Sequence, residues 1–197
     1  MPNPEHPWLP AKREPKGDPE DSTVYLAVGR ALSRWEWLEA TLAEIFKLLC
    51  NAEFDGAERA YGSVVAFSGR RNMLDAAFEV FPWRRKDDVK RFPKLVEQIQ
   101  RFSARRNEIA HGNVMGIGIQ GENLGFYLVP ASYNSNKQYT VWDLMDASSA
   151  QRHMEMTAGK YAYTSAQINA YESHFLRLRE EVIDYMIPIR KYVREGR

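Results

Sequence analysis

Apolar residues that recur every three or four positions are the strongest constraint on the fold of this chain of 197 residues. The clearest pattern follows Ser165 and consists of Ile168, Tyr171, Phe175, Leu178, Val182, Tyr185, Ile189 and Tyr192. This spacing places the side chains on one face of an α-helix, and Ser165 is a suitable N-cap residue. The sequence therefore predicts a long amphipathic helix near its C-terminal end.

The same spacing predicts three further helices, over about residues 22–51, 55–81 and 87–112. In the first of them Trp37 lies off the apolar stripe, which indicates that this helix buries more than one side. Gly62 and Gly69 weaken the second pattern. Gly112 follows the third, where it suits the left-handed C-cap position. Four helices indicate a mainly α fold.

The helical spacing disappears between about residues 112 and 164. Two β-prone runs, VMGIGIQ and NLGFYLV, flank Gly121-Glu122, which suits a two-residue hairpin loop. Further short strands are predicted over residues 139–142 and 161–163. We therefore expect a small antiparallel β insertion between the third and fourth helices.

Six of the ten prolines lie within the first 20 residues, where they prevent a helix or a central strand. Residues 1–21 are predicted to form a flexible, proline-rich arm, and residues 22–197 a single helical domain. The first residues lack the basic and apolar regions of a secretory signal, so none is expected, and no apolar run reaches the roughly 20 residues that would cross a bilayer. A single cysteine excludes an intramolecular disulfide framework. These features predict a cytoplasmic protein without a membrane segment.

The charged residues are distributed unevenly along the chain. The formal net charge is only +1, which excludes a generally cationic surface. Residues 84–106, however, hold nine Lys and Arg against three Asp and Glu. This basic segment predicts a local site for an anionic ligand at the end of the third helix.

Arg106 occupies an unusual position in that segment. It continues the apolar stripe of the third helix, which consists of Phe92, Leu95, Ile99 and Phe102. An unpaired charge on a buried face is costly. Arg106 is therefore expected to have an acidic partner, a water-filled cleft or a phosphate ligand, and the candidate partners are Glu39, Glu44 and Glu108.

His111 ends the same helix, where the helix dipole favours a protonated imidazole. Asn107 lies one turn before it on the same face, whereas Arg106 and His111 differ by about 140° around the helix. One helix does not bring Arg106 and His111 onto one small atom. Two copies of the helix related by a two-fold axis would place the pairs opposite each other.

The run Arg106-Asn107-Glu108-Ile109-Ala110-His111 at the end of a helix resembles the signature of HEPN (higher eukaryote and prokaryote nucleotide-binding) domains. That signature is an Arg, often followed by a polar residue, and a His four to six residues further on. The resemblance implies a four-helix up-down bundle that forms a homodimer. It also implies a metal-independent RNase of a toxin–antitoxin or defence system, with no cofactor.

The resemblance assigns roles to individual residues. His111 would act as general acid or base, Arg106 would stabilise charge on the phosphoryl oxygens, and Asn107 would hold the histidine or the phosphate. Contacts to the RNA backbone would come from Arg91, Lys94, Arg101 and Arg105. The implied partners are RNA or a nucleotide, a second copy of the chain, and an antitoxin or regulatory protein.

Two other interpretations remain open at this point. The first is a catalytically inactive HEPN-like module that binds a nucleotide or a protein through the same basic cleft. The second is an unrelated helical bundle in which Arg106 forms a structural ion pair. Buried pairing of Arg106 with Glu39 or Glu44 would favour this second interpretation.

Overall fold

The computed structural model describes residues 6–82, 88–119, 122–130 and 162–195. These ranges contain five helices and two strands: α1 (Asp21–Leu49), α2 (Gly56–Ser63), α3 (Phe67–Val80), α4 (Asp88–Ala110), β1 (Asn113–Ile119), β2 (Glu122–Val129) and α5 (Ser165–Arg194). The mainly α fold with a small antiparallel β element is confirmed. The strand predicted over residues 139–142 lies outside the described residues.

The pattern over residues 55–81 forms two helices rather than one. Val64 has an extended backbone and separates α2 from α3. Its carbonyl accepts a hydrogen bond of 2.7 Å from Nε of Arg70. A side chain on Gly69 would meet Val64 at 2.7 Å, so the glycine allows the two residues to approach closely. The break is therefore stabilised by contacts that the periodicity does not encode.

The chain divides into two compact units, and α1, α4 and α5 each contribute to both of them. The first unit contains the chain up to Ser33 and the segment Arg105–Ser173, which includes the hairpin. The second contains Arg34–Ala104 and the chain from His174 onward. The run of residues 106–111 thus belongs to the first unit.

Aromatic side chains form the core of the second unit. Trp35 packs edge-on against Phe175 at a centroid distance of 5.0 Å, and Phe175 also contacts Phe102. Phe78 stacks on Phe92 at 4.4 Å. Residues at these positions were predicted to lie on the apolar stripes of their helices, and in the structure they are buried.

The hairpin forms the centre of the first unit. β1 and β2 pair antiparallel from Asn113↔Val129 to Ile119↔Glu122, with an irregularity after Ile117. Glu122 is therefore a strand residue and not part of the loop that we predicted at Gly121-Glu122. The other edge of β2 pairs through Phe126 with Asp18 and through Leu128 with Tyr163. The strand predicted over 161–163 is represented by this single bridge at Tyr163.

The N-terminal segment is packed against the first unit, which corrects the prediction of a flexible arm. Its backbone is not helical over residues 6–20, as the prolines require. It is nevertheless tied to the fold by hydrogen bonds, including Gly17 N–H to the carbonyl of Leu124 at 2.7 Å. The hydroxyl of Tyr171 donates to the carbonyl of Leu9 and accepts from the N–H of Ala11, both at 2.9 Å.

Gly17 and Gly125 allow the N-terminal segment to lie directly on β2. A side chain on Gly17 would meet the carbonyl oxygen of Phe126 at 2.5 Å. Gly125 has a φ of +96°, which favours glycine, and a side chain there would meet the carbonyl oxygen of Asp18 at 2.6 Å. Both positions therefore require glycine for close backbone contact.

Thr164 and Asp18 accept hydrogen bonds from backbone N–H groups at the start of α5. Thr164 Oγ1 accepts from Gln167 N–H at 3.4 Å, and the side chain of Gln167 accepts from Thr164 N–H at 3.1 Å. This reciprocal pair is a capping box, so the N-cap is Thr164 and not Ser165 as predicted. The N–H and hydroxyl of Ser165 instead donate to the carboxylate of Asp18, at 2.7 and 2.5 Å.

Replacing Asp18 with alanine is expected to lower the free energy of unfolding by about 1–3 kcal/mol, because α5 loses a charged acceptor at its N-terminus. Urea denaturation followed by circular dichroism measures this change. Asp21→Ala is the matched control, since Asp21 is an exposed carboxylate in the first turn of α1 and such residues contribute about 0.3–1 kcal/mol. Equal losses in the two variants would contradict the proposed capping by Asp18.

Candidate functional site

Arg106, Asn107 and His111 lie at the end of α4, in the first unit. Nη1 of Arg106 donates to the side-chain oxygen of Asn107 at 3.0 Å, and Arg106 is half-buried. The N–H of His111 donates to the carbonyl of Asn107 at 3.0 Å, so the last helical turn is intact. Asn107 and His111 are exposed. The structure thus presents a hydrogen-bonded Arg-Asn pair in the last turns of α4 and a histidine directly after the helix.

Arg105 is the buried arginine of this turn, with 8% of its surface exposed. Its Nη2 donates to Oε1 of Glu108 at 2.8 Å. The other carboxylate oxygen of Glu108 accepts a hydrogen bond of 2.6 Å from the hydroxyl of Tyr163. Both carboxylate oxygens of Glu108 therefore accept hydrogen bonds on the inner side of the helix.

Burial changes the protonation behaviour of this inner cluster. It raises the pKa of Glu108, although the Arg105 charge and the Tyr163 hydrogen bond act in the opposite direction. Burial is also the main reason why the pKa of Tyr163 is raised, and the nearby Glu108 charge raises it further. Tyr163 consequently remains a hydrogen-bond donor to Glu108 over the whole physiological pH range.

The three carboxylates considered as partners of Arg106 each bind a different arginine. Glu39 forms an ion pair with Arg70, and it also accepts from the indole N–H of Trp35 at 2.9 Å. Glu44 pairs with Arg190. Glu108 pairs with Arg105, as described above.

Gly112 differs from its predicted role as a left-handed C-cap. Among the described glycines only Gly125 has a positive φ. A side chain on Gly112 would instead meet the side chain of Leu128 at 2.8 Å and the carbonyl of Glu108 at 3.0 Å. The glycine is needed because the end of α4 approaches β2 closely.

The predicted RNA-backbone contacts separate into exposed and buried residues. Arg91, Lys94 and Arg101 are exposed on the earlier part of α4, within the second unit. Arg91 lies 5.9 Å from the ring centroid of Tyr185, and Arg101 donates to Glu97 at 2.7 Å and lowers the pKa of that carboxyl. Arg105 was assigned to the same group, but its burial places it in the Glu108 cluster instead.

Tyr163 is the residue of this site that the sequence interpretation missed. The sequence places it only in a short predicted strand, whereas in the structure its backbone is hydrogen-bonded to Leu128 of β2 and its hydroxyl to Glu108. A tyrosine directly before the capping box of α5 was the available signal. It gave no indication of Glu108 as partner, because the two residues are 55 positions apart.

Within the described ranges, no cluster of three His, Cys, Asp or Glu side chains is placed to hold a metal ion. No helix in this part of the chain has the length and apolar character to span a membrane. No protein-family model, curated protein or solved structure matches the chain.

Proposed function

We propose that the protein is a metal-independent RNase with a HEPN-like four-helix bundle that acts as a homodimer. The observation that carries this proposal is the placement of Arg106, Asn107 and His111 together at the C-terminal end of α4, with Asn107 and His111 exposed. Glu108 turns inward to Arg105 and Tyr163. Both of its carboxylate oxygens accept hydrogen bonds there.

The chemistry follows from these side chains and from RNA itself. The 2′-hydroxyl attacks the adjacent phosphorus, and the bond from phosphorus to the 5′-oxygen breaks. His111 accepts the 2′-hydroxyl proton or supplies a proton to the leaving 5′-oxygen. Arg106 donates hydrogen bonds to the phosphoryl oxygens as negative charge develops on them. The products are a 2′,3′-cyclic phosphate and a 5′-hydroxyl, and no metal takes part.

Two copies of the chain supply the complete set of groups. Arg106 and His111 are separated by about 140° around α4, so a single helix presents them in different directions. In a two-fold dimer, His111 of one protomer faces the Arg106 of the other across a shared cleft. The exposed side chains of Arg91, Lys94 and Arg101 contact the RNA backbone.

The test is incubation of the purified protein with RNA in excess EDTA. We expect cleavage of RNA and none of an oligonucleotide of the same sequence with 2′-deoxyribose, because the nucleophile is the 2′-hydroxyl. Products ending in a cyclic phosphate are expected by mass spectrometry. Cleavage of the deoxy oligonucleotide would contradict the mechanism. RNA cleavage that depends completely on added metal would contradict it as well.

Absence of cleavage by a protein that is dimeric in solution would also reject the enzyme. Under that outcome, tight binding of a nucleotide that is lost in Arg106→Ala would indicate an inactive HEPN-like binding module. Such a module would use the same turn of α4 without performing the reaction.

A further inference from the structure

Phe126 is an aromatic residue of β2 that the proposed reaction does not use. In the register of the hairpin it lies directly opposite Gly116 of β1, on the face that also carries Leu128. The next residue, Tyr127, points to the other face and is fully buried. Phe126 itself is half-buried, and Gly116 is exposed. Solvent therefore reaches this face of the hairpin at the Gly116–Phe126 pair.

Gly116 leaves the space beside the ring of Phe126 open. A side chain there would meet Cε1, Cδ1 and Cζ of Phe126 at 3.4, 3.7 and 4.0 Å, which are ordinary van der Waals distances. At Gly17 and Gly112, by contrast, a side chain would meet other atoms at 2.5 and 2.8 Å. Among the described glycines only Gly125 has a positive φ. Neither packing nor backbone conformation therefore requires glycine at position 116, and such a glycine in a strand is typical of a place that a ligand approaches closely.

The ring of Phe126 has no stacking partner within the part of the chain that the structure describes. None of the aromatic pairs there includes it, and no guanidinium group there lies over it. The buried rings of Tyr163 and Tyr171, in the same unit, pack edge-on at 5.7 Å. The contact of Phe126 with Gly116 involves consecutive atoms on one edge of its ring. A planar group can therefore stack on the ring from outside.

Leu128 connects this face of the hairpin to the candidate functional site. A side chain on Gly112, the residue after His111, would meet the side chain of Leu128 at 2.8 Å. Phe126 is two residues from Leu128 on the same face, about 7 Å along β2. The run of residues 106–111 and the hairpin belong to the same compact unit. Phe126 therefore lies within reach of a base near a phosphate bound at His111.

We propose that Gly116 and Phe126 form a stacking site for one base of single-stranded RNA, here called the Phe126 site. The base stacks on the ring of Phe126 and extends over Gly116, where no side chain blocks it. In a duplex the bases are paired and stacked on one another, so the site selects unpaired RNA. The inference rests on the proposed function for the choice of RNA as the ligand.

The test is fluorescence-anisotropy titration with a labelled 2′-O-methyl oligouridylate of about 8 nucleotides, within the usual length of such sites. The methyl group blocks the 2′-oxygen, so binding is measured without cleavage. Phe126→Ala is expected to weaken binding by about 5- to 150-fold, the effect of removing one base-stacking contact. The slope of log affinity against log salt is expected to stay the same, because no phosphate contact is lost. An abasic oligonucleotide of the same length is expected to bind both proteins equally.

Gly116→Val separates base stacking from the stability of the hairpin. Valine favours a strand and would pair with Phe126 across the hairpin, so the free energy of unfolding is expected to stay the same or rise. The valine side chain covers the ring, so binding of the oligouridylate is expected to fall about as much as in Phe126→Ala. Phe54→Ala is the matched control, because Phe54 is an aromatic residue with 82% of its surface exposed, and it should leave the affinity unchanged.

The outcomes distinguish the Phe126 site from the proposed cleavage. Weaker binding by Phe126→Ala and Gly116→Val supports the site even if the unsubstituted protein does not cleave RNA. Unchanged affinity in either variant would overturn the site even if RNA is cleaved. No binding by the unsubstituted protein, or an equal loss with the abasic oligonucleotide, would overturn it too. Thermal unfolding verifies that each variant is folded, and Gly116→Val still tests the site if Phe126→Ala does not fold.

Discussion

RNA cleavage by His111→Ala is expected to be about 10²–10⁴-fold slower than cleavage by the unsubstituted protein, the usual contribution of a general acid or base. His111 is exposed and follows the last turn of α4, so its side chain contributes little to packing. The substitution should therefore leave the thermal unfolding curve unchanged. Initial rates on one RNA substrate in EDTA measure the effect on the chemical step.

The variant Arg106→Ala tests whether this arginine stabilises the negative charge that develops on the phosphoryl oxygens. Its loss removes a donor to the phosphoryl oxygens, and we expect cleavage to slow by about 10²–10³-fold in kcat. Arg101→Ala is the matched control, because Arg101 is an exposed arginine of α4 that pairs with Glu97. It should raise KM with little change in kcat.

Equal cleavage rates in His111→Ala and the unsubstituted protein would reject the assignment of His111.

Glu108→Ala is expected to lower the free energy of unfolding by about 3–5 kcal/mol, because it leaves the buried guanidinium of Arg105 without its counter-charge. The side chain of Arg105 is 9% exposed and that of Glu108 is 28% exposed. The variant also removes the acceptor of the Tyr163 hydroxyl, which leaves a second polar group unsatisfied. Urea denaturation of the purified variants measures the loss.

An ion pair on the same helix serves as the matched control. Arg101 and Glu97 are joined at 2.7 Å, nearly the 2.8 Å between Arg105 and Glu108, but their side chains are 48% and 43% exposed. Glu97→Ala is therefore expected to cost less than about 1 kcal/mol. Losses of similar size in the two variants would show that burial does not decide the strength of the Arg105–Glu108 pair.

The long helices could be predicted because their periodicity is local. The predicted bounds of α1, α4 and α5 agree with the structure within a few residues, and so does the position of the β hairpin that follows α4. Each of these elements buries one apolar stripe or one alternating face, and that pattern can be recognised within a short stretch of the sequence. The division into α2 and α3 could not be predicted, since it depends on Arg70 reaching back to the carbonyl of Val64.

The packing of the N-terminal segment could not be predicted either, because its contacts lie far apart in the sequence. Its prolines correctly excluded a helix, but they do not distinguish a free arm from a packed one. Its partners include Leu124, Tyr171 and, through Asp18, Ser165. Most of these hydrogen bonds use backbone groups, which carry no residue-specific signal in the sequence. Close approach of distant backbones was therefore visible only in the tertiary structure, at Gly17 and Gly125.

The sequence by itself predicted a helix that ends near Arg106 and His111, with Arg106 on the apolar stripe that faces the core. Phe102 and Ile109 are buried, and ideal helix geometry places Arg105 and Arg106 about 50° to either side of the line between them. The stripe before these residues predicted Arg106 as the arginine that faces the core, whereas Arg105 is the buried one in the structure. The tertiary structure decided it, because Tyr163 holds Glu108 on the Arg105 side, which leaves Arg106 beside Asn107.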